Sequence, residues 1–122
     1  MILLCRLDEL AIGTARGFDP WGTGEDTLFV VRTASEIVAY RNICPHQGVA
    51  LNWRKDRFLD AGASHIVCAA HGAGFDIATG AGIYGACLGQ ALERIPHLVD
   101  ADGFIRLLMP PPIPDQTPHR SE

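Results

Sequence analysis

The feature that most constrains this chain is a pair of short boxes in which a cysteine and a histidine recur together. The first box contains Cys44 and His46, and the second contains Cys68 and His71. Thiolates and imidazoles bind zinc and also hold iron–sulfur clusters, so this set of four side chains predicts a metal centre. The chain must fold back sharply in each box if both side chains are to turn toward one centre.

Glycines accompany both boxes and make such turns possible. Gly48 follows the first box, and Gly72 and Gly74 follow the second histidine. Glycine adopts positive φ angles readily and lets backbone N–H groups approach a cluster closely. Pro45 lies inside the first box, where its ring fixes φ and stiffens the loop. The two boxes therefore predict two tight loops around a shared centre.

With these glycines in place, the two boxes resemble those of Rieske-type [2Fe–2S] proteins. The resemblance covers both boxes closely and residues 1–109 in outline. It implies that Cys44 and Cys68 hold one iron of a [2Fe–2S] cluster, and that His46 and His71 hold the other. It also implies one-electron transfer, since Rieske centres have reduction potentials of roughly −150 to +300 mV.

The same four side chains could instead hold a structural zinc, which is tetrahedral and redox-silent. Zinc motifs usually keep cysteine with cysteine and histidine with histidine, so a box that mixes them is atypical. The spacing favours the cluster, but it leaves a zinc-stapled interaction module as an alternative.

Composition limits the remaining classes of function. The chain has 122 residues, of which 48% are hydrophobic, and this predicts one domain with a substantial core. A net charge of −4 argues against a nucleic acid as partner. The sequence contains no run of 18 apolar residues that could span a membrane, and its first residues do not form a signal peptide. We therefore expect a cytoplasmic protein without a membrane partner.

Short apolar segments separated by glycine, proline and aspartate predict an all-β domain. The predicted strands lie at residues 2–7, 10–18, 27–32, 36–41, 65–68, 75–77, 91–99 and 104–108. The resemblance implies a Rieske-type antiparallel β-sandwich over residues 1–109, with a small cluster-binding subdomain at about residues 43–87. The proline-rich segment 110–122 is predicted to be a flexible tail.

Two cysteines remain outside the boxes. Cys5 lies in an apolar segment and is predicted to be a core residue. Cys87 lies where Rieske proteins have a third loop against the cluster. That loop usually carries Gly-Pro, and Ala86 stands here in place of the proline. In membrane-bound Rieske subunits a disulfide ties the cluster loops, and the resemblance places Val49 and Ala70 at those positions, which favours the soluble ferredoxin branch.

The segment between the boxes offers two further hypotheses. Trp53 is predicted to pack under the loop as a hydrophobic anchor. The charged run at residues 54–57 is predicted to be a solvated face, with a docking patch for a redox partner as the alternative.

The second box also bears on the reduction potential. High-potential relatives carry hydroxyl side chains where this sequence has Ala73 and Phe75. The resemblance therefore implies a potential toward the low end of the Rieske range.

The leading functional hypothesis is a ferredoxin that passes single electrons from an NAD(P)H-dependent flavin reductase to an oxygenase or another redox enzyme. The sequence contains neither a nucleotide-binding glycine fingerprint nor a second metal motif. His65, His97 and His119 are interpreted as surface or core residues, so no independent catalytic site is expected. A small Rieske subunit of a larger reductase, of the nitrite-reductase type, is the second hypothesis.

Overall fold

The computed structural model of the chain describes residues 2–45, 48–52, 54–70 and 72–108. Within these residues it contains antiparallel strands and two short 3₁₀ helices, but no α-helix. The strands are β1 (Ile2–Arg6), β2 (Thr14–Phe18), β3 (Leu28–Arg32), β4 (Ile37–Arg41), β5 (Ile66–Val67), β6 (Gly74–Phe75), β7 (Gly82–Tyr84), β8 (His97–Val99) and β9 (Phe104–Leu107). The predicted all-β class is confirmed.

The strands form three antiparallel sheets of three strands each. Their orders are β1-β9-β8, β2-β3-β4 and β5-β6-β7. The predicted hairpin between β3 and β4 is present, and Thr33 N closes it by donating to Glu36 O at 2.9 Å. Trp53 and the predicted tail at residues 110–122 lie outside the described residues, so the predictions made for them stand as predictions.

Strand β3 is buried on both faces, which explains its uninterrupted apolar sequence. Leu28 and Val30 pack into a core shared with β1 and β9, here called the terminal core. Phe29 and Val31 pack on the opposite face, into a core shared with β5, β6 and the two boxes, here called the loop-side core. All four side chains are fully buried. Because alternate side chains of a strand point to opposite faces, the β2-β3-β4 sheet lies between these two cores.

Aromatic contacts fasten the connection between the boxes to this central sheet. Phe58 stacks on Phe29 with ring centroids 4.2 Å apart, and both rings are fully buried. Tyr40 of β4 donates its hydroxyl to Ile77 O at 2.6 Å, beyond the second box. Burial raises the pKa of Tyr40 to about 12, since a phenolate would lose its hydration there. Both boxes are thus fixed to one sheet.

The two longest predicted strands are much shorter in the structure. The segment at 10–18 is a strand only from Thr14, because a 3₁₀ helix at Leu7–Glu9 and a turn precede it. The segment at 91–99 is a strand only at His97–Val99. Residues 91–95 instead run beside β4 with intermittent hydrogen bonds, as when Arg41 N donates to Glu93 O at 2.9 Å. Pro96, which cannot donate, lies where this irregular stretch meets β8.

The charged run between the boxes is an anchor to β2. The Lys55 ammonium donates to Gly17 O and to Asp26 Oδ2, both at 2.9 Å. Asp56 Oδ1 accepts a hydrogen bond from Gly17 N at 2.8 Å. A Cβ on Gly17 would overlap the Asp26 carboxylate, so glycine permits this close approach. The Lys55 side chain is still 62% exposed, so the predicted solvated face also makes a tertiary contact.

Strand β7 is an element that the sequence analysis did not predict. It pairs with β6, with Gly74 opposite Tyr84, and the Tyr84 ring lies where a Cβ on Gly74 would be. In the described part of the chain, no helix is long and apolar enough to cross a membrane.

Candidate metal centre

The two boxes fold into loops with the same backbone hydrogen bonds. In the first loop Cys44 N donates to Val49 O at 2.7 Å, and Gly48 N donates to Cys44 O at 2.7 Å. In the second loop Cys68 N donates to Ala73 O at 2.9 Å, and Gly72 N donates to Cys68 O at 2.8 Å. Each loop therefore closes between its cysteine and the residue five positions later.

A glycine occupies the same place in each loop and adopts the same conformation. Gly48 has a φ of 72° and Gly72 has a φ of 70°. Each glycine is the fourth residue after its cysteine and donates the N–H that closes the loop. L-residues rarely adopt this left-handed conformation, so the glycines predicted to permit the turns do so through their positive φ.

Asn42 holds the first loop in place, although it belongs to neither sequence box. It is 5% exposed and follows β4. Its carbonyl oxygen accepts from Leu51 N at 2.9 Å, and its amide nitrogen donates to Asp26 O at 3.0 Å and to Asn52 Oδ1 at 2.9 Å. These bonds tie the residues before and after the loop. The sequence feature that could have indicated this role is a polar side chain between an apolar strand and a cysteine box.

The second loop is the turn of a short hairpin. Strands β5 and β6 pair Ile66 with Phe75 and Val67 with Gly74, so Cys68 lies immediately after the paired residues of β5. Ala69 N donates to Leu51 O at 2.8 Å, which links the second loop directly to the end of the first. The fold therefore brings the two boxes together, as their sequence pattern predicts.

A third segment packs against both loops. The 3₁₀ helix at Gly85–Cys87 follows β7, and its Gly85 lies so close to Ala73 that an added Cβ would be 3.0 Å from Ala73 Cα. The Cys87 sulfur lies 3.6 Å from the Cys44 sulfur. The third loop expected from the resemblance is thus present at residues 85–90, although Ala86 replaces the usual proline.

The cysteine sulfurs of both boxes face an apolar interior. Cys44 and Cys68 are each 1% exposed, and Ala73, Phe75 and Cys87 beside them are buried as well. The two buried thiols in matched, linked loops suit the thiolate side of an iron–sulfur cluster, whose ligands need protection from solvent and close packing.

His46 and His71 lie outside the described residues, so their positions in the site stay predictions. In the part of the chain that is described, no group of three or more histidine, cysteine, aspartate or glutamate side chains is placed to hold a metal ion. The proposed ligand set therefore depends on these two histidines in addition to the two cysteines.

The described histidines outside the boxes have structural contacts of their own. His65 Nδ1 lies 3.2 Å from Asp60 Oδ2, and His65 N donates to Asp60 Oδ1 at 3.0 Å. Hydrogen bonds from the His65 backbone and side chain, and from Ser64, lower the pKa of Asp60 to about 2. His97 Nε2 lies 2.9 Å from Ile37 O, which links β8 to β4. Both are interpreted as residues that fix the chain.

Comparison with known proteins identifies the family. The family model of the Rieske [2Fe-2S] domain matches residues 1–96, which include both boxes. The chain therefore belongs to the Rieske [2Fe–2S] domain family, and its cofactor is a [2Fe–2S] cluster. This decides against the zinc-stapled alternative. A comparison with curated protein sequences gives no match.

Solved structures with the same fold include ferredoxins. The ferredoxin of carbazole 1,9a-dioxygenase from Nocardioides aromaticivorans IC177 is 26% identical, with a TM-score of 0.64, and the match covers 88% of this chain and 97% of that one. A Sphingomonas yanoikuyae B1 ferredoxin is 25% identical, with a TM-score of 0.67 and coverages of 89% and 98%.

A structure described as a putative NADH-dependent nitrite reductase small subunit from Mycobacterium tuberculosis shares the fold at 17% identity. Its TM-score is 0.62, and the match covers 86% of this chain and 90% of that one. The family and the ferredoxin structures together make this chain an electron carrier of the Rieske type. When bound, the cluster supplies a one-electron redox couple.

Proposed function

We propose that the chain is a Rieske ferredoxin, which accepts electrons from an NAD(P)H-dependent flavin reductase and delivers them to an oxygenase or another redox enzyme. The observation that carries the proposal is the near-complete correspondence with solved ferredoxins, since the match covers 97% and 98% of two of them. One of these serves a dioxygenase by its printed description. None of the four cysteines, all of which are described, forms a disulfide, which suits a reducing cytoplasm.

The proposed ligands are Cys44 and Cys68 on one iron and His46 and His71 on the other. The matched loops support the two cysteines, because both sulfurs are buried and the loops are joined by the bond from Ala69 to Leu51. The family pattern supports the two histidines. Buried thiolates make that iron the deeper one, and partner proteins would receive electrons from the histidine side.

The ligand assignment is tested by measuring iron, zinc and labile sulfide on purified variants, together with the electron paramagnetic resonance spectrum after dithionite reduction. The unmodified protein should contain about two irons and two sulfides per chain and give a Rieske signal. Cys44→Ala, Cys68→Ala, His46→Ala and His71→Ala should each lose that signal.

Matched controls are Cys5→Ala and His119→Ala, which should retain the signal. Cys5 is a buried cysteine of the terminal core, and His119 lies beyond the family match. A Rieske spectrum that persists in any of the four ligand variants would refute the assignment for that residue.

The carrier role is tested by reconstituting electron flow. NADH, a flavin-dependent ferredoxin reductase and a terminal Rieske oxygenase from the same organism should oxidise substrate only when this protein is added, and a small molar fraction should suffice because each molecule cycles. Co-purification in a fixed ratio with one large reductase, without transfer to an oxygenase, would refute the ferredoxin proposal and support the subunit hypothesis.

A further inference from the structure

The close pair of sulfurs in the loop-side core is the observation from which this inference starts. Cys87 Sγ lies 3.6 Å from Cys44 Sγ, within reach of a sulfur–sulfur hydrogen bond. Cys87 is fully buried, with a relative exposure of 0%. A buried cysteine behaves as a small apolar side chain with a weak S–H donor.

The backbone around Cys87 holds its sulfur at this place. Gln90 N donates to Cys87 O at 2.9 Å, and Gly82 N donates to Gln90 O at 2.7 Å. A Cβ on Gly82 would overlap the Cys87 carbonyl oxygen, so this glycine allows β7 to lie directly against the third loop. On the other side, Gly85 packs on Ala73 of the second loop. Cys87 is therefore fastened to β7 and to the second loop while it contacts a cysteine of the first.

Iron binding decides which sulfur donates. A cysteine that ligates iron does so as a thiolate and carries no proton, so Cys44 can only accept a hydrogen bond in that state. The remaining donor of the pair is Cys87. A hydrogen bond to a cluster sulfur or to a ligand thiolate stabilises negative charge there, and it stabilises the reduced cluster more than the oxidised one because reduction adds one electron.

We propose that Cys87 donates an S–H hydrogen bond to the iron-bound sulfur of Cys44 and thereby raises the reduction potential of the cluster. The inference rests on the proposed role of Cys44 as a ligand. Reduction adds one electron to the cluster, while the proton stays on Cys87 in both states and no bond forms or breaks. Cys87 thus acts through Cys44 as a positioning and tuning residue, and it partly offsets the hydroxyl donors missing at Ala73 and Phe75.

The test is a redox titration of the holoproteins of Cys87→Ala, Cys87→Val and Cys87→Ser. Alanine and valine both remove the S–H donor, alanine with a smaller side chain than cysteine and valine with a larger one. Both variants should lower the midpoint potential. The expected decrease approaches a factor of ten in the equilibrium constant for reduction, which corresponds to about 59 mV for one electron. Serine keeps a hydroxyl donor and should recover part of the potential. Cys5→Ala, a buried cysteine in the terminal core, should leave the potential unchanged.

A spectroscopic readout separates this role from a merely structural one. Electron–nuclear double resonance of the reduced protein should detect an exchangeable proton that vanishes in Cys87→Ala and persists in Cys5→Ala. Potentials that agree for all three Cys87 variants and the unmodified protein would overturn the proposal. So would a serine variant whose potential falls as far as that of alanine.

Failure of the ligand assignment gives a different result. If Cys44→Ala keeps two irons and a Rieske spectrum and Cys44→Ala/Cys87→Ala loses them, Cys87 is itself a ligand and the hydrogen-bond proposal is overturned. If both variants keep the cluster, Cys44 does not ligate iron, and the proposal falls together with the assignment. Loss of the Rieske signal in Cys44→Ala, with a lowered potential in Cys87→Ala, supports both.

Discussion

Replacing either loop glycine by alanine should weaken its cluster loop by the cost of the backbone conformation alone. Gly48 and Gly72 have φ angles of 72° and 70°, and a Cβ at either position meets no atom of the described residues within 4 Å. Those residues therefore add no packing clash to the conformational cost. An L-residue in the left-handed conformation costs roughly 1–2 kcal/mol.

This cost sets the expected size of the effect in a thermal unfolding experiment. A loss of 1 kcal/mol lowers the melting temperature by roughly 4–8 °C in domains of about 60–100 residues and by roughly 2–4 °C in domains of about 150–250 residues, and a chain of 122 residues lies between these classes. Gly48→Ala and Gly72→Ala should therefore show similar decreases, of several degrees each. Gly48→Asn and Gly72→Asn should lie between alanine and the unmodified protein, because asparagine tolerates the left-handed conformation better.

The assay is far-ultraviolet circular dichroism of the anaerobic holoprotein during heating, with the visible absorbance of the cluster followed on the same sample. Gly62→Ala is the matched control, because Gly62 lies between the boxes without a positive φ, and its added Cβ would lie 3.5 Å from Ser64 Oγ, an ordinary contact. The reasoning is refuted if Gly62→Ala costs as much as the loop variants, or if asparagine and alanine are equivalent at both loop positions.

Three further predictions concern single side chains. Tyr40→Phe removes the hydroxyl that donates to Ile77 O at 2.6 Å and should cost about 0.5–1.5 kcal/mol in thermal unfolding; an unchanged melting temperature would contradict it. Ala73→Ser should raise the midpoint potential by adding a hydroxyl donor beside the second loop, and a redox titration of the iron-replete variant that gives an equal or lower value would refute this. Hydrogen bonds from His65 and Ser64 lower the pKa of Asp60 from 3.8 to about 2. The ionised carboxylate therefore stabilises the folded state at pH values above the pKa of the unfolded chain, and this contribution is lost as the pH falls toward 2. Asp60→Asn should flatten this part of the stability–pH curve, and an unaltered curve would exclude the linkage.

Much of the fold could be predicted because its signals are local. Two apolar segments on either side of a short turn are visible in the sequence, and the structure places that hairpin at Leu28–Arg41 with both faces of β3 buried. The loops could be predicted for the same reason, since each cysteine, its glycine and the closing hydrogen bonds lie within six consecutive residues. Local patterns of this kind are legible without knowledge of the tertiary contacts.

Features that depend on distant segments could not be predicted. The Asn42 clamp requires residues 26 and 52 to meet after β4, and the anchor at Lys55 requires β2 to lie beneath the connection between the boxes. Strand β7 has only three residues, and it exists because Gly74 leaves room for the Tyr84 ring. Such contacts depend on which backbones approach each other, and composition or periodicity does not encode that directly.

The cluster site depends both on local sequence patterns and on contacts between distant segments. The local patterns indicate which cofactor is bound, whereas the distant contacts influence its reduction potential. The two cysteine loops are built locally, so their sequence pattern suffices to indicate a [2Fe–2S] centre. The surroundings of the Cys44 sulfur depend on the third loop, which reaches it through the packing of Gly82 on the Cys87 backbone. Substitutions in that loop can therefore change how strongly the cluster holds an electron while every proposed ligand stays the same. Relatives with the same boxes are for this reason expected to differ in potential according to the residue at the position of Cys87.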